Sequence, residues 1–148
     1  MEKSDTTEKK IFDIRRAPEA LLITFSSTLE NIDRADRLTH QFLEENGAEH
    51  HSFATRLGLR EGLTNAVIHA HGMDPEKIVK YEIRRDGQTL VVEIEDEGEG
   101  FDWMGASGIQ PDITDEHGRG MSIMTHYFSE FRYNASGTKL TLVKCLEG

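Results

Sequence analysis

With 148 residues, 36% hydrophobic and 30% charged, the chain has enough material for the core of one ordinary domain. A net charge of −10 excludes a broad phosphate-binding face, so direct nucleic-acid binding is not expected. No apolar run approaches the roughly 20 residues that span a bilayer, the opening MEKSDTTEKK lacks the apolar stretch of a signal peptide, and the lone Cys145 can form no internal disulfide; the expectation is a cytoplasmic protein with no membrane segment.

Residues 1–18 read as an N-terminal extension, partly flexible, whose first ten are polar. Within it Ile11–Arg15 is either a short strand or an extended segment. Residues 19–148 read as a single domain. Leu21–Ser26 is a strand. Asn31 is placed as the N-cap of a helix running to Glu45, with Ile32, Ala35, Leu38, Phe42 and Leu43 at helical spacing and Asn46-Gly47 ending it. A second helix covers Ala48–His71, with Leu59, Leu63, Ala66, Val67 and Ala70 as its buried stripe and Gly72 as its C-cap. Ile78–Arg85 and Thr89–Asp96 form a hairpin around Asp86-Gly87. Asp102–His117 has little periodicity and reads as a mobile loop. Gly120–Phe128 is a short helix, and Glu130–Asn134 and Thr138–Lys144 are the last strands. Helices grouped on one face of a mostly antiparallel sheet make a two-layer α+β sandwich.

Four short boxes carry the chemistry. In EGLTNA, Glu61 and Asn65 are four apart and share a helix face, and His69 continues that polar stripe in a second-sphere or structural role. In DEGEG, Asp96 ends a strand, and Gly98 and Gly100 permit backbone angles and close approaches that other residues resist. In HGRGM, Gly118 and Gly120 open a helix whose free N–H groups suit an anion, and Arg119 is either a phosphate ligand or a surface cation. In SGTKL, Thr138 begins the final strand. The histidine pairs His50-His51 and His69/His71 do not make a metal site, because residues two apart on a helix point in different directions. Cys145 reads as a small buried or edge side chain. His40 lacks the surroundings of a phospho-acceptor.

In this order the four boxes, over roughly Ser26–Lys144, resemble the N-box, two glycine boxes and GT strand of the GHKL (Bergerat-fold) ATP-binding family. GRGMSIM is similar to the form found in the anti-sigma factor serine kinases of partner-switching systems, the RsbW/SpoIIAB group, and differs from the GLGL run of sensor histidine kinases. The resemblance implies ATP bound between helices and sheet. It gives Glu61 the role of general base and Asn65 that of a Mg²⁺ ligand, which suits a hard cation that keeps waters and phosphate oxygens. It makes Asp96 and Thr138 the adenine readers, and has Gly98, Gly100, Gly118, Arg119 and Gly120 shape the nucleotide cleft under a lid at Asp102–His117. An acidic chain that binds ATP needs its cations gathered locally. The implied activity is phosphorylation of a serine on a STAS-domain antagonist, alternating with capture of a sigma factor, by a homodimer. Two other readings stay open: a nucleotide-gated binding module without phosphoryl transfer, and the detached ATP domain of a histidine kinase.

Overall fold

The computed structural model describes residues 11–100 and 116–146, and of 116–121 the backbone alone. Two strands open it, β1 (Phe12–Ala17) and β2 (Ala20–Ser26), followed by helix α1 (Leu29–Glu45). A single 3₁₀ turn, Glu49–His51, leads into α2 (Ser52–Thr64), which runs on as a π-helical segment over Asn65–Ala70. The hairpin β3 (Ile78–Asp86) and β4 (Thr89–Glu95), helix α3 (Glu116–Tyr127), and strands β5 (Glu130–Tyr133) and β6 (Lys139–Cys145) complete the chain. The sheet order is β1-β2-β3-β4-β6-β5, and every neighbouring pair among these strands is antiparallel. This is the expected two-layer α+β architecture. None of the described helices is long and apolar enough to cross a membrane.

Strand alternation decides which face carries the core. Leu21, Ile23 and Phe25 of β2, Val79, Tyr81 and Ile83 of β3, Leu90, Val92 and Ile94 of β4, and Leu140 and Leu142 of β6 are all buried. The register lines up Ile23, Tyr81, Ile94, Leu140 and Tyr133 across five strands. The opposite face is charged. There Glu82 and Glu93 stand directly opposite each other, a repulsive pairing in itself. The Arg84 guanidinium offsets it by reaching both carboxylates, at 3.4 and 3.3 Å.

Helices α1 and α2 cover the apolar face with Ile32, Ala35, Phe42, Leu43, Leu59, Leu63, Ala66 and Val67. Asp36 of α1 accepts hydrogen bonds from Arg56 Nε at 2.7 Å and Nη2 at 3.2 Å, and from Arg60 Nη1 at 3.1 Å, which joins the two helices along their outer edge. Tyr81 is fully buried, and its hydroxyl lies 2.5 Å from Thr39 Oγ1, which donates to the Ala35 carbonyl. Burial drives the phenol pKa well above its ordinary value. Leu63 is wholly buried beneath the polar face of α2. Leu63→Ala is expected to cost about 2–5 kcal/mol of folding free energy in chemical denaturation.

Several boundaries differ from expectation; the second helix, expected from Ala48, begins at Ser52 after the 3₁₀ turn. The N-cap of α1 is Thr28, not Asn31: Thr28 is extended and its hydroxyl accepts the Asn31 N–H. Both residue types cap well, but Asn31 is instead buried, donating through Nδ2 to the Ser26 carbonyl at 2.9 Å. The helix that carries EGLTNA is not regular to His71. Its last turns widen to π geometry, with the His71 N–H donating to the Ala66 carbonyl five residues back. The last helix starts at Glu116 rather than Gly120, so Gly118 and Gly120 lie within it despite their poor helix propensity. The loop expected at Asp102–His117 otherwise falls outside the described residues. Gly47 and Gly72 end their helices with positive φ, as anticipated. Cys145, read as a buried or edge side chain, is exposed at the end of β6.

Candidate functional site

Between the end of α2 and the sheet lies a cavity of about 540 Å³, within the size range of small-molecule and cofactor sites. Its walls come from the two layers of the fold. Gly62, Asn65, Ala66, His69 and Ala70 supply the helix side; Ile94, Leu140 and Tyr133, neighbours in the strand register, supply the sheet side. Lys77, Asp96, Glu99, Gly100 and Gly137 close one end. Gly62 permits this geometry, since a Cβ there would stand 2.6 Å from Ile94 Cδ1 and 3.0 Å from Leu140 Cδ2. The glycine lets α2 sit close enough to the sheet for Asn65 to face the cavity.

Asp96 follows β4 by one residue and is tied to its surroundings through backbone and side chain. Its N–H donates to the Thr138 carbonyl at 2.9 Å, and its Oδ1 accepts the Gly98 N–H at 2.8 Å. Burial raises its pKa, and the Gly98 N–H opposes that shift. Gly100 takes φ +79°, and a Cβ there would lie 1.8 Å from the Ser136 carbonyl oxygen. The loop after β4 therefore nests against the turn before β6, and brings Asp96, Gly98, Gly100 and Thr138 together from segments 40 residues apart in sequence numbers 98 and 138. The Thr138 hydroxyl is 3.0 Å from Ser136 Oγ.

Of the residues singled out in the sequence, Asn65, Asp96 and Gly100 line the cavity, while Gly98 and Thr138 are held just behind it. Glu61 lies one helical turn before Asn65, half-buried and off the cavity wall. Gly118 and Arg119 fall in the first turn of α3, whose N–H groups lack intrahelical acceptors, with Gly120 just beyond. The Arg119 side chain lies outside the described residues.

Tyr133, Lys77 and His71 were not anticipated. The Tyr133 phenol hydrogen-bonds the Asn65 side chain; burial raises its pKa, which the Asn65 bond opposes and the Asp96 and Glu61 carboxylates reinforce. Lys77 supplies a cation at the Asp96 end of the cavity. Neither residue stands in a motif, so only strand register and the turn before β3 reveal them. His69 lines the cavity and is exposed, whereas His71 is buried. Among the described residues no cluster of three His, Cys, Asp or Glu side chains is placed to hold a metal ion.

His71 also sets a pH dependence. Burial lowers its pKa below the ordinary 6.5, and the Asp96 carboxylate opposes the shift. The unfolded chain then binds a proton that the folded chain resists, so stability rises with pH in this window. His71 thus favours the fold fully above about pH 6.5, and that contribution is lost as pH falls through the ordinary value toward the lowered one. Denaturant midpoints should decline over that range. The decline should be shallower in His71→Gln, which does not titrate there.

No curated protein sequence matches the chain. The family model described as a histidine kinase-like ATPase domain matches residues 25–144, a span that includes all four boxes and every wall of the cavity. The chain belongs to that family, the GHKL class of ATP-binding domains.

Proposed function

We propose that this protein is an ATP-dependent protein serine kinase that also acts as an anti-sigma factor in a partner-switching system. The observation that carries the kinase reading is the placement of Glu61. Asn65 faces the cavity, but Glu61 stands one turn further back along the same helix and off its wall. A carboxylate one turn from the Asn65 that faces the cavity can serve as the base for a hydroxyl acceptor. A domain that only bound nucleotide would have no use for a base there.

The residues present fit ATP with Mg²⁺. The Asp96 carboxylate at the cavity end suits an exocyclic amine, which adenine has and guanine lacks at that position. Gly100 leaves no side chain where the loop meets the turn before β6. One carboxamide oxygen, from Asn65, suits a cation held mainly by phosphate oxygens and water. Mg²⁺ bound there would neutralise charge on the phosphates. Glu61 accepts the proton of a serine hydroxyl as its oxygen bonds to the γ-phosphorus, and the bond from that phosphorus to the β–γ bridging oxygen breaks to release ADP. Positioning and charge neutralisation supply most of the rate.

The serine acceptor belongs, on this reading, to a STAS-domain antagonist, and the unphosphorylated antagonist competes with a sigma factor for a homodimer of this chain. Support for these partners is the GRGMSIM form of the second glycine box. The test is transfer of labelled γ-phosphate to a STAS protein encoded beside this one. Acid-stable phosphoserine is the expected product. Acid-labile phosphohistidine would identify a histidine kinase domain instead, and ATP binding without transfer would leave a nucleotide-gated binding module.

A further inference from the structure

His71 is buried near the cavity but does not line it. Its ring joins three segments. Nδ1 lies 2.5 Å from Oγ of Ser27, which is fully buried just past β2. Nε2 accepts the backbone N–H of Glu97 at 2.7 Å. An imidazole that accepts at Nε2 while neutral carries its proton on Nδ1, so Nδ1–H donates to Ser27. Glu97 is fixed further, because its Oε1 accepts the Ile78 N–H at 2.8 Å. Ser27 in turn donates its own N–H to the Lys77 carbonyl. The residue whose backbone His71 holds is the immediate neighbour of Asp96.

We infer that His71 is a positioning residue for nucleotide recognition: as its neutral Nδ1–H tautomer it fixes the backbone at Glu97 and so aims Asp96 into the cavity, reading the base without touching it. The inference rests on the ATP-binding role of the cavity. Protonation would place a second N–H on Nε2, facing the Glu97 N–H donor to donor, and the loop would lose its anchor. The groups facing the ring bear on when this happens. Burial lowers the pKa, as does Lys77 from the turn before β3; Asp96 and Glu97 from the loop after β4, and Asp74 beyond the π segment, raise it. Ser27, from the end of β2, adds no charge. Nucleotide affinity therefore carries an acid limb that belongs to a residue outside the cavity, separate from the titration of Asp96.

The test combines ring-nitrogen NMR of the whole protein with ATP calorimetry across pH for wild type, His71→Gln and His71→Phe. At neutral pH the His71 ring should show the Nδ1–H tautomer, and the Glu97 amide should titrate together with that ring. His71→Phe, which keeps a flat ring but no acceptor, should bind ATP about tenfold more weakly at neutral pH. His71→Gln, whose carboxamide oxygen can still accept, should recover most of that affinity and lack the His71 acid limb. An Nε2–H tautomer, or a Glu97 amide indifferent to the ring, would overturn the inference. So would wild-type affinity and an unchanged pH profile in a folded His71→Phe. Loss of stability without any change in the affinity profile would also overturn it, leaving His71 a purely structural residue. The NMR readout needs no nucleotide, so failure of wild type to bind ATP would count against the ATP reading alone. If His71→Phe does not fold, the wild-type spectrum and the Gln variant still decide.

Discussion

Glu61→Gln is expected to bind ATP within about twofold of wild type and yet transfer phosphate roughly 10²–10⁴-fold more slowly. Gln keeps the shape and helix propensity of Glu and removes only the capacity to take a proton. The carboxylate lies off the cavity wall, so nucleotide contacts should be preserved. Its charge bears on the Tyr133 phenol, which hydrogen-bonds Asn65, so a small change in Mg²⁺ dependence would be the only nucleotide-side effect. Single-turnover transfer with saturating ATP measures the chemical step directly. Undiminished transfer would remove Glu61 from the mechanism and leave positioning alone to account for catalysis.

Gly100→Ala should have the opposite signature: a folded protein that no longer holds nucleotide. The added Cβ would meet the Ser136 carbonyl oxygen at 1.8 Å and Thr138 Cγ2 at 3.2 Å, and φ +79° is strained for any residue with a side chain. The left-handed backbone alone costs about 1–2 kcal/mol. The clash is with backbone, so no side-chain rotation relieves it; the loop after β4 has to separate from the turn before β6. Asp96 would then lose the neighbours that fix it. ATP affinity is expected to fall about 100-fold or more, equivalent to about 2.7 kcal/mol or more. Denaturant stability should fall by only about 1–3 kcal/mol, because the added Cβ meets Ser136 and Thr138 and no residue of the buried core. Calorimetry and a urea titration of one preparation separate the two effects.

The sequence foretold those parts of the molecule that depend on local periodicity. Alternation placed the β3–β4 hairpin, and helical spacing placed both long helices and most of their buried residues, with Leu38 and Ala70 only half-buried. The GHKL boxes foretold the family. Misplaced features depended on competition between neighbours. Thr28 and Asn31 are both good caps, and only the acceptor at Ser26 shows why Asn31 is drawn inward. The π segment has no sequence period of its own, so the helix carrying Asn65 read as regular. Tyr133 reaches Asn65 because β5 lies beyond β6 in the sheet, and no pattern within four residues of strand announces that. His71 looked like one of a pair of histidines; its role depends on Ser27 and Glu97, each 26 or more positions away.

The sheet order has a consequence for how the protein comes into being. β6 lies between β4 and β5 in the sheet, so the last two strands must dock together on β4, and Thr138 holds the backbone of Asp96. A nascent chain that has emerged only as far as β4 already holds strands β1–β4, each of which pairs with the next strand along the chain, and both long helices. It cannot form the nucleotide site, whose wall waits for Tyr133, Gly137 and Leu140 from the last two strands and the turn between them. Nucleotide bound in the cell would therefore select for finished molecules, stabilising only chains that have been synthesised to the end and have docked β6.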